Sequence, residues 1–298
     1  MCIGFYSRTA IRDNSDVCKI ASLITACLLL SHLAGAHEAG GTVQYLANEG
    51  VMAIYGDAKV VFDPLFNEDF GQYRLLPAEM RAALFAGDAP FEGIDAVFIS
   101  HYHDDHFDPE DMLSFLEHRG NVRLYAPRQA VDAMRKVING TDLFERVQAV
   151  DLNYGDTPAT FSMPGLRIGA VRIPHAGWPD RMADVQNLAW RITFDNGPTV
   201  LHLGDADTRQ AHFIRDAEYW DTHRANIAFP PYWYFLSPRG LEVLHVYLKP
   251  LLAIGIHVPV DVPQSRGQRS PPLDGVDLFT TPGETRSIPP GRPESKEK

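Results

Sequence analysis

Between Ser100 and Asp108 the chain reads Ser-His-Tyr-His-Asp-Asp-His-Phe-Asp, so three imidazoles and two carboxylates fall within six positions. The segment directly follows Ile94–Ser100, an apolar run of the length and composition of a strand buried on both faces. It directly precedes a helix start, with Asp108 suited to the N-cap, Pro109 to the first helical position and Glu110 and Asp111 to the positive end of the helix dipole. A histidine-rich tract in a solvated loop or tail would lack that framing. Histidine and carboxylate are ligands that a borderline metal such as zinc accepts. In an extended loop His101 and His103 project to one side, while Asp105 and His106 turn toward a neighbouring position, so the spacing offers ligands to two metals. The fold must therefore bring further ligands to the end of this strand.

The surrounding pattern supplies such strand ends. Short β-branched or aromatic runs at Thr42–Leu46, Val51–Tyr55 and Lys59–Phe62 predict a meander of hairpins, and a short helix is expected near Ala78–Leu84. Strands follow at Val122–Tyr125, Val147–Leu152, Thr160–Met163, Leu166–Ile173, Leu188–Phe194, Thr199–Leu203, Ile227–Phe229 and Leu251–Ile256. Helical patterns fall at Arg128–Val137, Thr208–Ala217 and Gly240–Leu248. Strand clusters with helices interspersed in both halves predict two sheets packed face to face with helices outside.

The motif His101-x-His103-x-Asp105-His106 after an apolar strand resembles the metallo-β-lactamase superfamily. The resemblance runs from Gly41 to Gln264 and implies an α/β fold, a four-layered αβ/βα sandwich of two mixed β-sheets with outer helices. It also implies three later ligands, each after a strand: His175 in Ile173-Pro174-His175, Asp205 in Leu203-Gly204-Asp205 and His257 in Gly255-Ile256-His257. Carried over residue by residue, His101, His103 and His175 would hold one metal, Asp105, His106 and His257 a second, and Asp205 would stand between them. Asp63, in Phe62-Asp63-Pro64, resembles the superfamily's early Asp-Pro and is expected to orient a ligand histidine. That Asp-Pro and the Gly-Ile-His ending look most like the branch containing ascorbate-6-phosphate lactonase and the N-acyl-phosphatidylethanolamine phospholipase D relatives.

The resemblance implies two divalent ions, zinc first, with manganese or iron as alternatives. It implies hydrolysis of an ester, lactone, amide or phosphodiester in a small-molecule substrate by a metal-bridged hydroxide. Asp105 would both bind metal and orient that hydroxide or relay its proton. Trp178, Tyr232 and Trp233 are expected to line a substrate pocket. The other reading is a non-catalytic metal-binding protein on the same fold, because fold alone does not make an enzyme. His118, His212, His223 and His245 read as surface residues, and His202 as a possible neighbour of the ligands.

Composition decides partners and compartment. Among 298 residues the formal charge is -11, which disfavours nucleic acid as a partner. Ile20–Leu33 is an apolar run behind Lys19 that ends in Ala34-Gly35-Ala36, the pattern of a signal peptide cleaved before His37. The expected location is periplasmic or secreted, with no integral membrane span in the mature chain. A start nearer Val17 would improve the basic flank. Ile24-Thr25-Ala26-Cys27 also resembles a lipoprotein box, ranked second because the apolar run continues past it. All three cysteines, Cys2, Cys18 and Cys27, precede the expected cut, leaving His, Asp and Glu as the available metal ligands. The expected organisation is thus a signal peptide over 1–36, a hydrolase domain over 37–264 and a Pro- and Gly-rich disordered tail over 265–298. Composition and pattern leave the oligomeric state open.

Overall fold

The computed structural model describes residues 1, 4, 40–138, 140 and 142–291. The expected signal peptide and lipoprotein box lie outside the described residues. Residues 40–291 form two mixed sheets. The first runs in the order β13-β1-β2-β3-β4-β5-β6 and the second in the order β12-β11-β10-β9-β8-β7.

In the first sheet β1 (Thr42–Ala47), β2 (Gly50–Tyr55) and β3 (Ala58–Phe62) are antiparallel. Then β4 (Ala96–Phe98), β5 (Arg123–Pro127) and β6 (Val147–Val150) continue in parallel. The second sheet mirrors this plan. Its strands β7 (Ala159–Met163), β8 (Leu166–Arg172), β9 (Leu188–Phe194) and β10 (Thr199–His202) are antiparallel. Its strands β11 (Ile227–Phe229) and β12 (Leu252–Ala253) join β10 in parallel.

The two-residue period of the strands sorts their side chains into three apolar layers. Val51, Ala53, Ala96 and Phe98 meet Ile168, Trp190, Ile192 and Phe229 between the sheets. Met52, Val61, Val97 and Ile99 face outward and pack against Leu84 of α1 (Ala78–Ala86), Phe115 of α2 (Pro109–His118) and Met134 of α3 (Arg128–Val137). On the far side Val171, Ala189, Leu201 and Ala228 meet Phe213 of α4 (Ala211–Ile214), Trp220 of α5 (Ala217–Thr222) and Val243 just after α6 (Pro238–Glu242). The four-layered αβ/βα sandwich follows from burial of both sheet faces.

Two elements differ from the sequence pattern. The continuous helix expected over Thr208–Ala217 is broken into α4 and α5, and the one expected over Gly240–Leu248 begins as α6 and continues as a π-helical turn over Val243–Leu248. Gly240 is needed there because a Cβ would collide with the backbone of Tyr234.

Over 265–291 the expected disordered tail is also corrected. Strand β13 (Thr285–Ser287) pairs antiparallel with β1, and Leu273, Leu278, Phe279 and Ile288 are buried. Arg269 ties the segment down by donating to the carbonyls of Pro263, Gln264 and Val276. The segment shows no periodicity because it packs as irregular chain around single apolar anchors, and β13 covers what would otherwise be an open sheet edge.

Candidate metal centre

Parallel strands deliver their following loops to one end of a sheet, and five strand ends converge here. Asp63 follows β3, the segment from Ser100 to His106 follows β4, His175 follows β8, Asp205 follows β10, and His257 follows β12. The structure brings all seven expected ligands together. His101, His103 and His175 form one group whose candidate ligand atoms lie within 4.8 Å of one another, and Asp105, His106 and His257 form a second.

Asp205 joins the two groups. Its Oδ2 lies 3.2 Å from His175 Nε2, while its Oδ1 lies 3.4 Å from both His106 Nε2 and His257 Nε2. Asp105 Oδ2 closes the second group at 3.3 Å from His257 Nε2. Buried polar atoms are ordinarily paired. Yet His106 Nε2, His175 Nε2, His257 Nε2 and Asp205 Oδ1 have no hydrogen-bond partner among the described residues. Four orphaned lone-pair carriers converging from separate strands fit divalent cations.

The opposite ring edges are held. His175 Nδ1 donates to the carbonyl of Ala176 at 2.7 Å, and His106 Nδ1 faces Asp63 Oδ2 at 3.1 Å. His101 Nδ1 lies 3.0 Å from Ser100 Oγ. At His106 and His175 the contact leaves Nε2 turned into the site without a hydrogen-bond partner among the described residues, while His101 Nε2 faces His103 Nδ1 at 3.1 Å. Asp63 has the expected position: fully buried, it also accepts from the Ser100 backbone N–H at 2.7 Å and from its hydroxyl at 2.5 Å.

The electrostatics favour the ligand forms of Asp105, Asp205, His101 and His103, whereas His106 is pushed up, because its burial is outweighed by the Asp205 and Asp105 charges and the Asp63 bond. Burial opposes charge on Asp105 and Asp205, but the surrounding imidazoles outweigh it and hold both carboxyls below the usual range. Burial, then the neighbouring rings of His175 and His106, push His103 down to about 4. His101 is pushed down in the same way, burial first and His106 next.

Several supports escaped the sequence. Asn48, in the β1–β2 turn, donates to the carbonyl of Asp105 at 2.9 Å and accepts from the His257 N–H at 3.0 Å. Asn187 accepts from the Asp205 N–H at 3.0 Å and donates to the carbonyls of Ile173 and Leu203. His202, by contrast, was already read from the sequence as a neighbour of the ligands; it stacks on Phe62 and donates from Nε2 to the carbonyl of Glu49 at 2.9 Å, tying β10 to the same turn. The Glu49 carboxyl is fully buried, and burial raises it well above its usual range. Single asparagines and a glutamate in turns carry no distinguishing spacing.

A cavity of about 380 Å³ opens over His103, Asp105, His175, Asp205 and His257. Its wall includes Phe70, Tyr73, Tyr102, Met182 and Trp233. Of the three expected pocket residues only Trp233 lines it. Tyr232 packs edge-on against Trp233, and Trp178 packs instead against Tyr154 and His212. His212, expected at the surface, is buried: its Nε2 lies 3.4 Å from Asp207 Oδ1 and its Nδ1 2.9 Å from Tyr154 Oη. Tyr73, whose ring edge meets His257 at 4.2 Å between centroids, lay in a stretch without periodicity.

The beta-lactamase superfamily domain matches residues 58–257, a span that begins at β3 and ends on His257. The chain belongs to this superfamily. Solved structures agree on the superfamily fold at low identity. A possible metal-dependent hydrolase from Veillonella parvula DSM 2008 is 13% identical with a TM-score of 0.59, over 84% of this chain and 100% of that one. The isothiocyanate hydrolase from Delia radicum gut bacteria is 14% identical with a TM-score of 0.55, over 83% and 98%. The metallo-beta-lactamase fold protein YhfI from Bacillus subtilis is 17% identical with a TM-score of 0.53, over 83% and 98%. No curated protein matches the chain in sequence. Among the described residues no helix is long and apolar enough to cross a membrane.

Proposed function

We propose that the chain is a binuclear metal-dependent hydrolase acting on an ester, lactone or amide whose flanking group is uncharged and apolar. The observation that carries this reading is the division of Asp205, one oxygen toward His175 and the other toward His106 and His257. His101, His103 and His175 would hold one ion, Asp105, His106 and His257 the other, with Asp205 shared. Bound divalent ions, zinc in the first instance, supply acidification of water and polarisation of the scissile carbonyl.

The chain's own groups do the rest. Asp105, held below the usual carboxylate range, is available at neutral pH to accept a proton. Burial and then the Asp205 and Asp105 charges raise the Tyr73 phenol, so it keeps its proton and presents an O–H donor on the cavity wall. Aromatic rings and Met182 make up much of that wall, and no lysine or arginine is among its lining residues. This favours a neutral substrate over a phosphodiester, whose anion is usually met by arginine or lysine. The amino-terminal run Ile20–Leu33 supports export to the periplasm or beyond, which amino-terminal sequencing of exported protein would test through a start at His37.

The test is elemental analysis and turnover of the full chain beside His103→Ala. About two metals per chain and hydrolysis of an aryl ester or lactone, both lost or strongly reduced in the variant, support the reading. Faster turnover of bis-aryl phosphate than of any carboxylic ester would overturn the substrate class. Metal binding without turnover on the panel would favour the non-catalytic reading.

A further inference from the structure

A second cavity, of about 590 Å³, lies on the outer side of the second sheet and shares no lining residue with the metal centre. Leu166, Ile168 and Ala170 of β8 point into the layer between the sheets, so Arg167 and Gly169 point outward, as do Arg191 and Thr193 of β9. The register places Arg167 opposite Thr193 and Ser162, and Arg191 opposite Gly169. The two arginines are thus diagonal neighbours on adjacent strands, with Cα atoms roughly 7–8 Å apart.

Like charges so placed normally recruit a carboxylate. Acids outnumber bases here by 38 to 27, yet no ion pair among the described residues involves either arginine. The nearby acids Asp216 and Asp221 are engaged by Arg215 and by Arg224 and Lys249. Arg191 is half-buried and fixed by donation from Nε to the carbonyl of His223 at 2.7 Å and from Nη2 to Thr199 Oγ1 at 3.5 Å, which leaves its Nη1 end and one Nη2 hydrogen unspent. Arg167 has no side-chain hydrogen bond among the described residues. Thr160, Ser162 and Tyr219 line the same space, as does Thr222 with its hydroxyl turned to the carbonyls of Glu218 and Tyr219, and Tyr219 Oη packs so closely over Gly169 that a Cβ there would collide with it.

We propose that this cavity is an accessory site for a small molecule bearing a phosphate monoester group. One guanidinium fork satisfies a carboxylate; two forks with several hydroxyls match the three terminal oxygens and double charge of a phosphomonoester. The stacked rings of Tyr219 and His223, 4.5 Å apart, border the space where the rest of such a molecule would lie. Arg167 precedes His175 by eight residues along β8 and its continuation, roughly 25 Å of extended chain. A single small ligand therefore does not span both sites.

The experiment is calorimetric titration of the full chain with inorganic phosphate and, separately, with acetate. Wild type, Arg167→Gln, Arg167→Gln/Arg191→Gln and the metal-centre variant Asp205→Ala would be compared at constant ionic strength. Arg167 is exposed, so its variant is expected to keep the wild-type melting temperature. Phosphate should bind wild type and Asp205→Ala alike, about tenfold or more weakly in Arg167→Gln, and not detectably in the double variant. Acetate should bind at least about tenfold more weakly than phosphate to wild type. Equal phosphate binding by wild type and Arg167→Gln, loss of binding in Asp205→Ala alone, or acetate binding as tight as phosphate would each overturn the proposal.

Discussion

Replacing Asp63 with asparagine changes the two contacts of one oxygen, Oδ2, to His106 Nδ1 and to the Ser100 hydroxyl, and little else in the candidate metal centre. Asp63 sits at φ 38°, a left-handed conformation that asparagine tolerates, so the backbone need not move. The amide oxygen can keep the bond to the Ser100 N–H, now 2.7 Å, because that backbone donor cannot reorient. The amide nitrogen then stands where Oδ2 faces His106 Nδ1 at 3.1 Å. A donor facing Nδ1 drives the imidazole proton to Nε2, the atom that lies 3.4 Å from Asp205 and 3.7 Å from Asp105. A protonated Nε2 offers no lone pair. Loss of such an outer partner typically weakens metal binding about 10–100-fold, or about 1.4–2.7 kcal/mol. The assay is zinc titration against a chromophoric chelator at neutral pH, with elemental analysis after dialysis. The site of Asp105, His106 and His257, which Asp63 touches directly, should weaken by that factor, and the site of His101, His103 and His175, which it reaches only through the Ser100 hydroxyl, by less. Unchanged affinity at both sites, in a variant that melts like wild type, would refute the tautomer argument.

Three further outcomes follow from the structure. Gly204→Ala should destabilise the chain by about 2 kcal/mol or more and lower its metal content, because residue 204 sits at φ 51° and a Cβ would lie 2.5 Å from Ser100 Cβ. A wild-type urea midpoint would contradict this. Ending the chain at Gln264 removes β13 with Leu273, Leu278, Phe279 and Ile288, at about 1.5–3 kcal/mol for each buried side chain, a loss comparable to a typical folding free energy. The truncated chain should bind a hydrophobic dye and lack a cooperative melt; a cooperative melt near the full-length temperature would count against it. For the metal-free chain, His103 titrates at about 4 when folded and near its ordinary 6.5 when unfolded. The unfolded state therefore binds the extra proton first as pH falls, so stability present above about 6.5 is lost on the way to about 4. Wild type should lose more stability over that window than His103→Ala in urea melts, and equal losses would refute the assignment.

The candidate ligands were legible in the sequence, the first four from one local motif and His175, Asp205 and His257 through the superfamily resemblance. His101, His103, Asp105 and His106 fall in one loop, and each later ligand stands just past an apolar strand, so periodicity alone places them at sheet ends. Asp63 was legible through its Asp-Pro motif. Strand identity and the two-sheet layering were also local properties, because a run buried on both faces must be covered on both. What surrounds the ligands was not local. Asn48 and Asn187 act on residues 57 and 18 positions away, through single hydrogen bonds that leave no pattern. Phe70 and Tyr73 line the cavity where Trp178 and Tyr232 were expected, because loop paths, not spacing, decide which side chains reach it. The pairing of Arg167 with Arg191 exists only in the register of β8 against β9. The carboxy-terminal segment folds because the sandwich presents an open edge at β1 and apolar pockets for Leu278 and Phe279, surfaces that exist only once the rest of the chain has closed. Periodicity is a short-range record of burial, so the sequence by itself determined the strands, their layers and the ligands at their ends. The tertiary structure decided the long-range choices of orienting partners, cavity wall and final strand, because each is made by a contact between segments far apart in the chain.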